Sequence, residues 1–232
     1  MENGSYFINY GGRKMKQDLL TLLKEEKIIA IIRGIDKKSV ERTVHALRDG
    51  NITFLEITMD TEGALDSIYR LKGMYGEHLR IGAGTVLNIG MAKEAIQAGA
   101  EYIVSPNLDE QVVTYCLEQN VDVWPGTMTP TEMYKAYQLG AKAVKVFPIG
   151  TLGTKYIREV KAPLRQIEMI ATGGVNLENI NSILENGAIA AGVGGNLVDK
   201  KFIQLGNFEE ITKRARMFVK CVKGENYDDT NR

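Results

Sequence analysis

Eight short, almost uninterrupted apolar runs recur along the chain: Ile28–Ile32, Phe54–Thr58, Arg80–Gly84, Tyr102–Val104, Val121–Trp124, Ala143–Phe147, Glu168–Ala171 and Ile189–Val193. Their starts lie 19–26 residues apart, the spacing of one strand–helix unit. A strand with one face in water alternates apolar and polar side chains. These runs do not alternate, which predicts strands buried on both faces in a parallel sheet covered by helices. The segments between them carry helix punctuation. Thr129-Pro130-Thr131-Glu132 joins a capping box to a proline at the first helical position. Val112, Val113, Cys116 and Leu117 share one helix face before Asn120. Gly99-Ala100, Gly140-Ala141 and Gly187-Ala188 each stand just before a strand, where glycine ends a helix in the left-handed conformation without a Cβ penalty. Gly50-Asn51 is a weaker fourth copy. Eight such units predict an α/β chain folded as a (β/α)8 barrel, with a helix beginning at Met15 ahead of the first strand. An open doubly wound sheet is the alternative that the same alternation allows.

A chain of 232 residues suits one domain, and no charge block, low-complexity run or proline-rich linker divides it. Twenty-nine basic residues balance 29 acidic ones, without the basic excess expected of a nucleic-acid binder. No apolar stretch approaches the roughly 18 residues of a membrane span. Cys116 and Cys221 match neither a disulfide framework nor a metal motif and read as reduced thiols of a cytoplasmic protein. Residues 1–14 are glycine-rich and polar, without a signal-peptide core, and read as an extension or expression remnant. The barrel is expected over 15–223, followed by a frayed tail over 224–232.

A barrel carries its chemistry on the loops that follow its strands. Those ends read Arg33-Gly34, Thr58-Met59-Asp60-Thr61, Gly84-Thr85, Ser105-Pro106-Asn107, Pro125-Gly126-Thr127, Phe147-Pro148, Thr172-Gly173-Gly174 and Gly194-Gly195. Lys145 is the most informative residue nearby, because it stands among Val144, Val146, Phe147 and Pro148. Burial disfavours an ammonium ion, so an amine in such a run favours the neutral, nucleophilic form that attacks a carbonyl to make a Schiff base. The other reading is a lysine paired with a carboxylate or snorkelling from a strand end. Glu56 is the sole carboxylate of Phe54-Leu55-Glu56-Ile57-Thr58. Turned inward, it is either a general acid–base or an ion-pair partner for Lys145 or an arginine.

The glycine-rich ends of the seventh and eighth strands offer backbone N–H groups for a phosphate or carboxylate, although glycines also make plain tight turns. Gly82-x-Gly84 does not continue as a dinucleotide fingerprint. The two histidines, His45 and His78, are not at strand ends, which argues against a Ser-His-Asp triad or a histidine metal site. Arg33 is either a rim charge or a clamp for a substrate carboxylate.

IIAIIRG, FLEITMDTEGA, IGAGTVLN, YIVSPNLDE, PGTMTPTE, VKVFP, ATGGVN and GVGGNLV occur in this order over roughly Met15–Lys223. Singly the glycine motifs are unspecific; as an ordered set they resemble the bacterial 2-keto-3-deoxy-6-phosphogluconate and 4-hydroxy-2-oxoglutarate aldolases. That resemblance implies a class I aldolase on a (β/α)8 barrel, a homotrimer needing no metal or other cofactor. It implies Lys145 of K-x-F-P as the Schiff-base lysine and Glu56 of L-E-[IV]-T as the acid–base. Thr85 would contact the pyruvyl carboxylate and Phe147 the pyruvyl carbons. Thr172, Gly173 and Gly174 would line the substrate hydroxyl and phosphate, with Gly194 and Gly195 completing the phosphate cup.

Two positions depart from one branch of that family. Asp60 stands where that branch has an arginine, and an aspartate cannot hold a carboxylate; Arg33 then becomes the candidate cation. Gly195 stands where several members have serine, which removes a hydroxyl from the cup. The implied reaction is reversible cleavage of a 2-keto-4-hydroxy acid to pyruvate plus glyceraldehyde 3-phosphate or glyoxylate. A sugar-phosphate isomerase or epimerase and a non-catalytic ligand-binding barrel are the competing readings.

Overall fold

The computed structural model of the chain describes residues 18–225. The expected extension over 1–14 and the tail beyond residue 225 lie outside those residues. The strands are β1 (Ile28–Ile32), β2 (Phe54–Thr58), β3 (Arg80–Gly84), β4 (Tyr102–Val104), β5 (Asp122–Trp124), β6 (Gly126–Thr127), β7 (Ala143–Val146), β8 (Glu168–Thr172) and β9 (Ala190–Val193). All pairings are parallel, in the order β5-β4-β3-β2-β1-β9-β8-β7-β6. The predicted fifth strand, Val121–Trp124, is β5, and past Pro125 it is followed by a further segment, β6, that the sequence did not lead us to expect. Proline has no N–H for the ladder, so pairing breaks there. Its carbonyl still accepts from the Lys145 N–H at 2.9 Å. Because β5 pairs with β4 and β6 with β7, the broken strand closes the ring.

The helices are α1 (Leu19–Glu26), α2 (Lys37–Asp49), α3 (Ala64–Tyr75), α4 (Ile89–Gln97), α5 (Glu110–Glu118), α6 (Pro130–Gln138), α7 (Ile149–Leu152), α8 (Lys155–Lys161), α9 (Ile180–Glu185), α10 (Lys200–Gln204) and α11 (Phe208–Lys223). The period of two along each strand sorts the apolar side chains into two cores. Ile57, Ala83, Val144, Val146 and Val193 join the outer core against the helices. Ile29, Phe54, Tyr102, Trp124 and Ile170 fill the lumen. Leu19, Leu20 and Leu23 of α1 pack into that inner core and plug the N-terminal end of the barrel. Burying one leucine contributes roughly 1.5–3 kcal/mol, so three anchor this short helix. Lys24 Nζ to Glu168 at 2.6 Å and Lys142 Nζ to Asp18 at 2.7 Å tie it down at the edge.

Local signals act as expected at most ends. Glu132 donates its N–H to Thr129 Oγ1, and its carboxylate accepts from the Thr129 N–H at 2.7 Å, completing the capping box. Gly99, Gly140 and Gly187 have φ of +99°, +101° and +108°. Gly50 does not follow them: its φ is −89°, and Asn51 takes the left-handed position at +65°. The glycine is needed there because α11 comes close, and a Cβ on Gly50 would overlap Ala215. Among the described residues no helix is long and apolar enough to cross a membrane.

Candidate active site

Two residues beyond the apolar lumen layer, the same strands turn different side chains inward. Phe54 is followed by Glu56 and Thr58, Ala143 by Lys145, and Ile170 by Thr172. They floor a cavity of about 550 Å³ at the C-terminal end of the barrel. All ten residues singled out in the sequence border it: Arg33, Glu56, Thr85, Lys145, Phe147, Thr172, Gly173, Gly174, Gly194 and Gly195. Of the Asp, Glu, Lys, Arg and His residues described, only Glu56 and Lys145 are buried, at 3% and 7% exposure.

Glu56 fits because Gly84 on the neighbouring strand has no Cβ; one placed there would overlap its carboxylate. Burial pushes the Glu56 carboxyl above its ordinary 4.5, against the pull of Lys145 and then Arg33. Asp60 adds to the rise. Lys145 Nζ lies 5.1 Å from the centre of the Phe147 ring. No carboxylate among the described residues is within ion-pair distance of that amine. It is open to the cavity, with an aromatic face beside it.

At the rim, Arg33 Nε donates to Asp60 Oδ2 at 3.0 Å. Burial tends to raise the Asp60 carboxyl, but hydrogen bonds from Thr58 and Arg33 outweigh it and hold it below the usual range. The pair is half exposed. The Nη groups of Arg33 have no partner among the described residues and remain available to an anion. Thr85 has φ of +58°, a left-handed conformation that costs a β-branched residue about 1–3 kcal/mol.

The two glycine-rich ends close the opposite side. Gly173 and Gly174 have φ of +87° and +82°. The Gly173 carbonyl accepts from Gly150 N–H at 2.7 Å, and Gly174's accepts from Asn179 Nδ2 at 2.9 Å. Asn196 Nδ2 donates to the Val175 carbonyl at 2.7 Å, linking the end of β9 to that of β8. Sequence reasoning missed Asn196, and also Lys200 and Lys201 on the cavity wall, while Pro106, which stood among the strand ends, borders it too. A polar residue straight after Gly194-Gly195 was the available signal for Asn196; two lysines opening a short helix gave none. His45 bonds to the Tyr75 hydroxyl, away from the site. Among the described residues no group of three or more His, Cys, Asp or Glu is arranged to hold a metal ion.

Comparison with known proteins shows the family. The KDPG and KHG aldolase family matches residues 19–214. A 2-dehydro-3-deoxy-phosphogluconate aldolase of Haemophilus influenzae is 32% identical over 208 residues, covering 89% of this chain and 98% of that protein. A 2-dehydro-3-deoxy-6-phosphogalactonate aldolase of Escherichia coli K12 is 32% identical, covering 84% and 94%. A solved structure described as native KDPGal superposes with a TM-score of 0.80 at 32% identity, covering 85% of this chain and 94% of that one. A cage designed by fusing symmetric oligomeric domains gives 0.79, also at 32% identity, over 85% and 72%. With a closed barrel, a buried lysine and glutamate at its mouth, and this similarity along most of its length, the chain belongs to the KDPG and KHG aldolase family and is an aldolase, a carbon–carbon lyase.

Proposed function

We propose that the chain is a class I aldolase that cleaves 2-keto-4-hydroxy acids through a Schiff base on Lys145. The observation carrying this reading is that, among the described residues, Lys145 and Glu56 are the two buried charges and border the same cavity, with the amine unpaired. The neutral amine of Lys145 adds to the C2 ketone, and loss of one water gives an iminium ion. Glu56 shuttles the protons for that dehydration and then takes the C4 hydroxyl proton. The C3–C4 electron pair moves to the iminium nitrogen, leaving an enamine and releasing an aldehyde. Protonation at C3 and addition of one water return the free lysine and pyruvate. A raised carboxyl suits both the donating and accepting steps near neutral pH.

Around that centre, Thr85 and the Nη groups of Arg33 hold the substrate carboxylate, Asp60 keeps Arg33 in place, and Phe147 packs against the pyruvyl carbons. Thr172, Gly173 and Gly174 meet the C4 hydroxyl and distal group, together with Gly194 and Gly195. The relatives' names point to 2-keto-3-deoxy-6-phosphogluconate or its galactonate epimer as substrate, and the family name adds 4-hydroxy-2-oxoglutarate. The aldehyde released is then glyceraldehyde 3-phosphate or glyoxylate. The same reading assigns a homotrimer in the cytoplasm, which sedimentation of the purified chain checks for assembly.

Borohydride reduction in the presence of pyruvate tests the mechanism. The expected result is one pyruvyl adduct, mapped by peptide mass to Lys145. An adduct on Lys142 or Lys155 with Lys145 unmodified overturns the assignment of the nucleophile. A folded chain that traps no pyruvate overturns the Schiff-base mechanism itself.

A further inference from the structure

Glu56 is the buried carboxylate of the site, yet among the described residues no hydrogen bond or ion pair holds it. Two glycines of β3 make room for what packs around it. A Cβ on Gly84 would overlap the Glu56 carboxylate, and one on Gly82 would overlap the ring of Tyr102. Gly82 stands opposite Glu56 in the register of β2 and β3. The phenol of Tyr102 therefore runs from β4 past β3 to β2, a crossing that any side chain at 82 would block.

At the end of that crossing the Tyr102 hydroxyl donates to the Leu55 carbonyl at 2.7 Å. This carbonyl belongs to the peptide unit that joins Leu55 to Glu56, so the bond fixes the backbone from which the Glu56 side chain springs. The ring is in no position to swing away. It is fully buried, stacks on Trp124 at 4.4 Å and lies 6.1 Å from Phe54. Burial first, then the charges of Glu56 and Glu101, hold the hydroxyl well above its ordinary 10, so it stays protonated and donating. Tyr102 does not itself border the cavity. Any influence it has on the substrate passes through Glu56.

We propose that Tyr102 is a positioning residue: by hydrogen-bonding the Leu55–Glu56 peptide and flooring the space beneath the carboxylate, it holds Glu56 at the height where protons are exchanged with the substrate. This rests on the acid–base role given to Glu56 above and deepens it by naming what aims that side chain. Proton transfer needs heavy atoms about 2.6–3.2 Å apart. A carboxylate with no hydrogen bond of its own meets that requirement only if its backbone and its floor are fixed.

The test is steady-state kinetics of the wild type, Y102F, E56Q and the double variant. The substrate is 2-keto-3-deoxy-6-phosphogluconate or its galactonate epimer, whichever the wild type cleaves faster. Y102F keeps the ring and removes the bond. It should lower kcat about 3- to 10-fold, the worth of one neutral hydrogen bond, and leave KM within about twofold. In the E56Q background the same change should cost less than about twofold, because no carboxylate is left to aim. An equal loss in both backgrounds, or none in either, makes Tyr102 a packing residue and overturns the proposal. Y102L empties the floor and lets water reach a carboxylate that faces Lys145 of β7, Arg33 and Asp60 of the rim, and position 102 of β4. The pH limb of kcat that E56Q abolishes should then move down towards the ordinary carboxylate range. An unmoved limb in a folded Y102L also overturns the proposal, and if Y102L loses its fold by circular dichroism the Y102F cycle decides alone. Should E56Q keep turnover within about threefold of wild type, the acid–base reading itself fails and takes this proposal with it. Loss of turnover in E56Q with no coupling to Y102F removes only the role of Tyr102.

Discussion

The lower and upper layers of the barrel lumen are built by the same strands, two residues apart, yet they do opposite work. In the lower layer Tyr102 stacks on Trp124 at 4.4 Å beside Phe54 and Ile170, and α1 seals it from below. The one phenol there donates to the Leu55 carbonyl at 2.7 Å, and burial keeps it neutral by pushing its pKa well up. In the upper layer Glu56, Lys145 and Thr172 replace those rings and border an open cavity. A dry, well-packed floor is what desolvates the charges standing on it. On the proposed mechanism, the difference teaches that stability and chemistry are separated here by one pleat repeat rather than by domain or loop.

That separation can be broken by substitution, starting with the largest effect. Glu56→Gln retains shape but removes the proton acceptor, and turnover should fall about 100- to 10,000-fold with the fold intact. Its stability should change in the opposite direction. The folded carboxyl is raised above the ordinary 4.5, so between those values the folded state binds more protons than the unfolded one. Wild-type stability therefore falls as pH rises through that window, a cost the glutamine variant escapes. Urea midpoints should coincide near pH 4 and favour the variant at pH 8. Turnover within about threefold of wild type would move Glu56 into the structural layer.

Phe54→Ala, one inward position lower, should do the reverse. Emptying that site should cost about 3–5 kcal/mol of unfolding free energy, read by chemical denaturation. The folded fraction should still trap pyruvate at Lys145. At the rim, Arg33→Ala should lower kcat/KM on every 2-keto acid by about 10- to 150-fold, the worth of a charged hydrogen bond of roughly 1.5–3 kcal/mol. Normal efficiency would leave the substrate carboxylate without its cation and detach the rim from the catalytic layer.

The smallest effects concern the two glycine-rich ends, which look alike in sequence. Gly173 has φ of +87°, and a Cβ there would press on Phe147 and Pro148 at 3.0–3.2 Å. Gly195 lies outside that backbone region, and a Cβ on it meets nothing within 4 Å. Gly173→Ala should therefore cost about 1–3 kcal/mol of stability, whereas Gly195→Ala should stay within about 0.5 kcal/mol. Thermal unfolding of the two variants separates a glycine needed by the backbone from one that only shapes the cup.

Much of this molecule is legible in residue order. Unalternating apolar runs at regular spacing specify parallel strands under helices, and Lys145 in its apolar run and Glu56 in another stand out because burial is so unfavourable to charge. Gly50 shows the limit: it reads as a helix-ending glycine, but the close approach of α11, more than 160 residues away in sequence, is what demands it. Pro125 reads as the end of a strand, while the ladder on its far side resumes because β7 lies beside it. Lys200 carried no signal at all, since an exposed lysine at a helix start is ordinary until the fold lays it over Gly34. By itself the sequence determined the period, the strand identities and the two unusual charges, because those depend on each residue's own hydrophobicity and its immediate neighbours. Which side chains share one cavity, which glycine a distant helix requires and which rim cations lack a partner were decided by tertiary structure alone, because they depend on distances set only when the ring of strands closes.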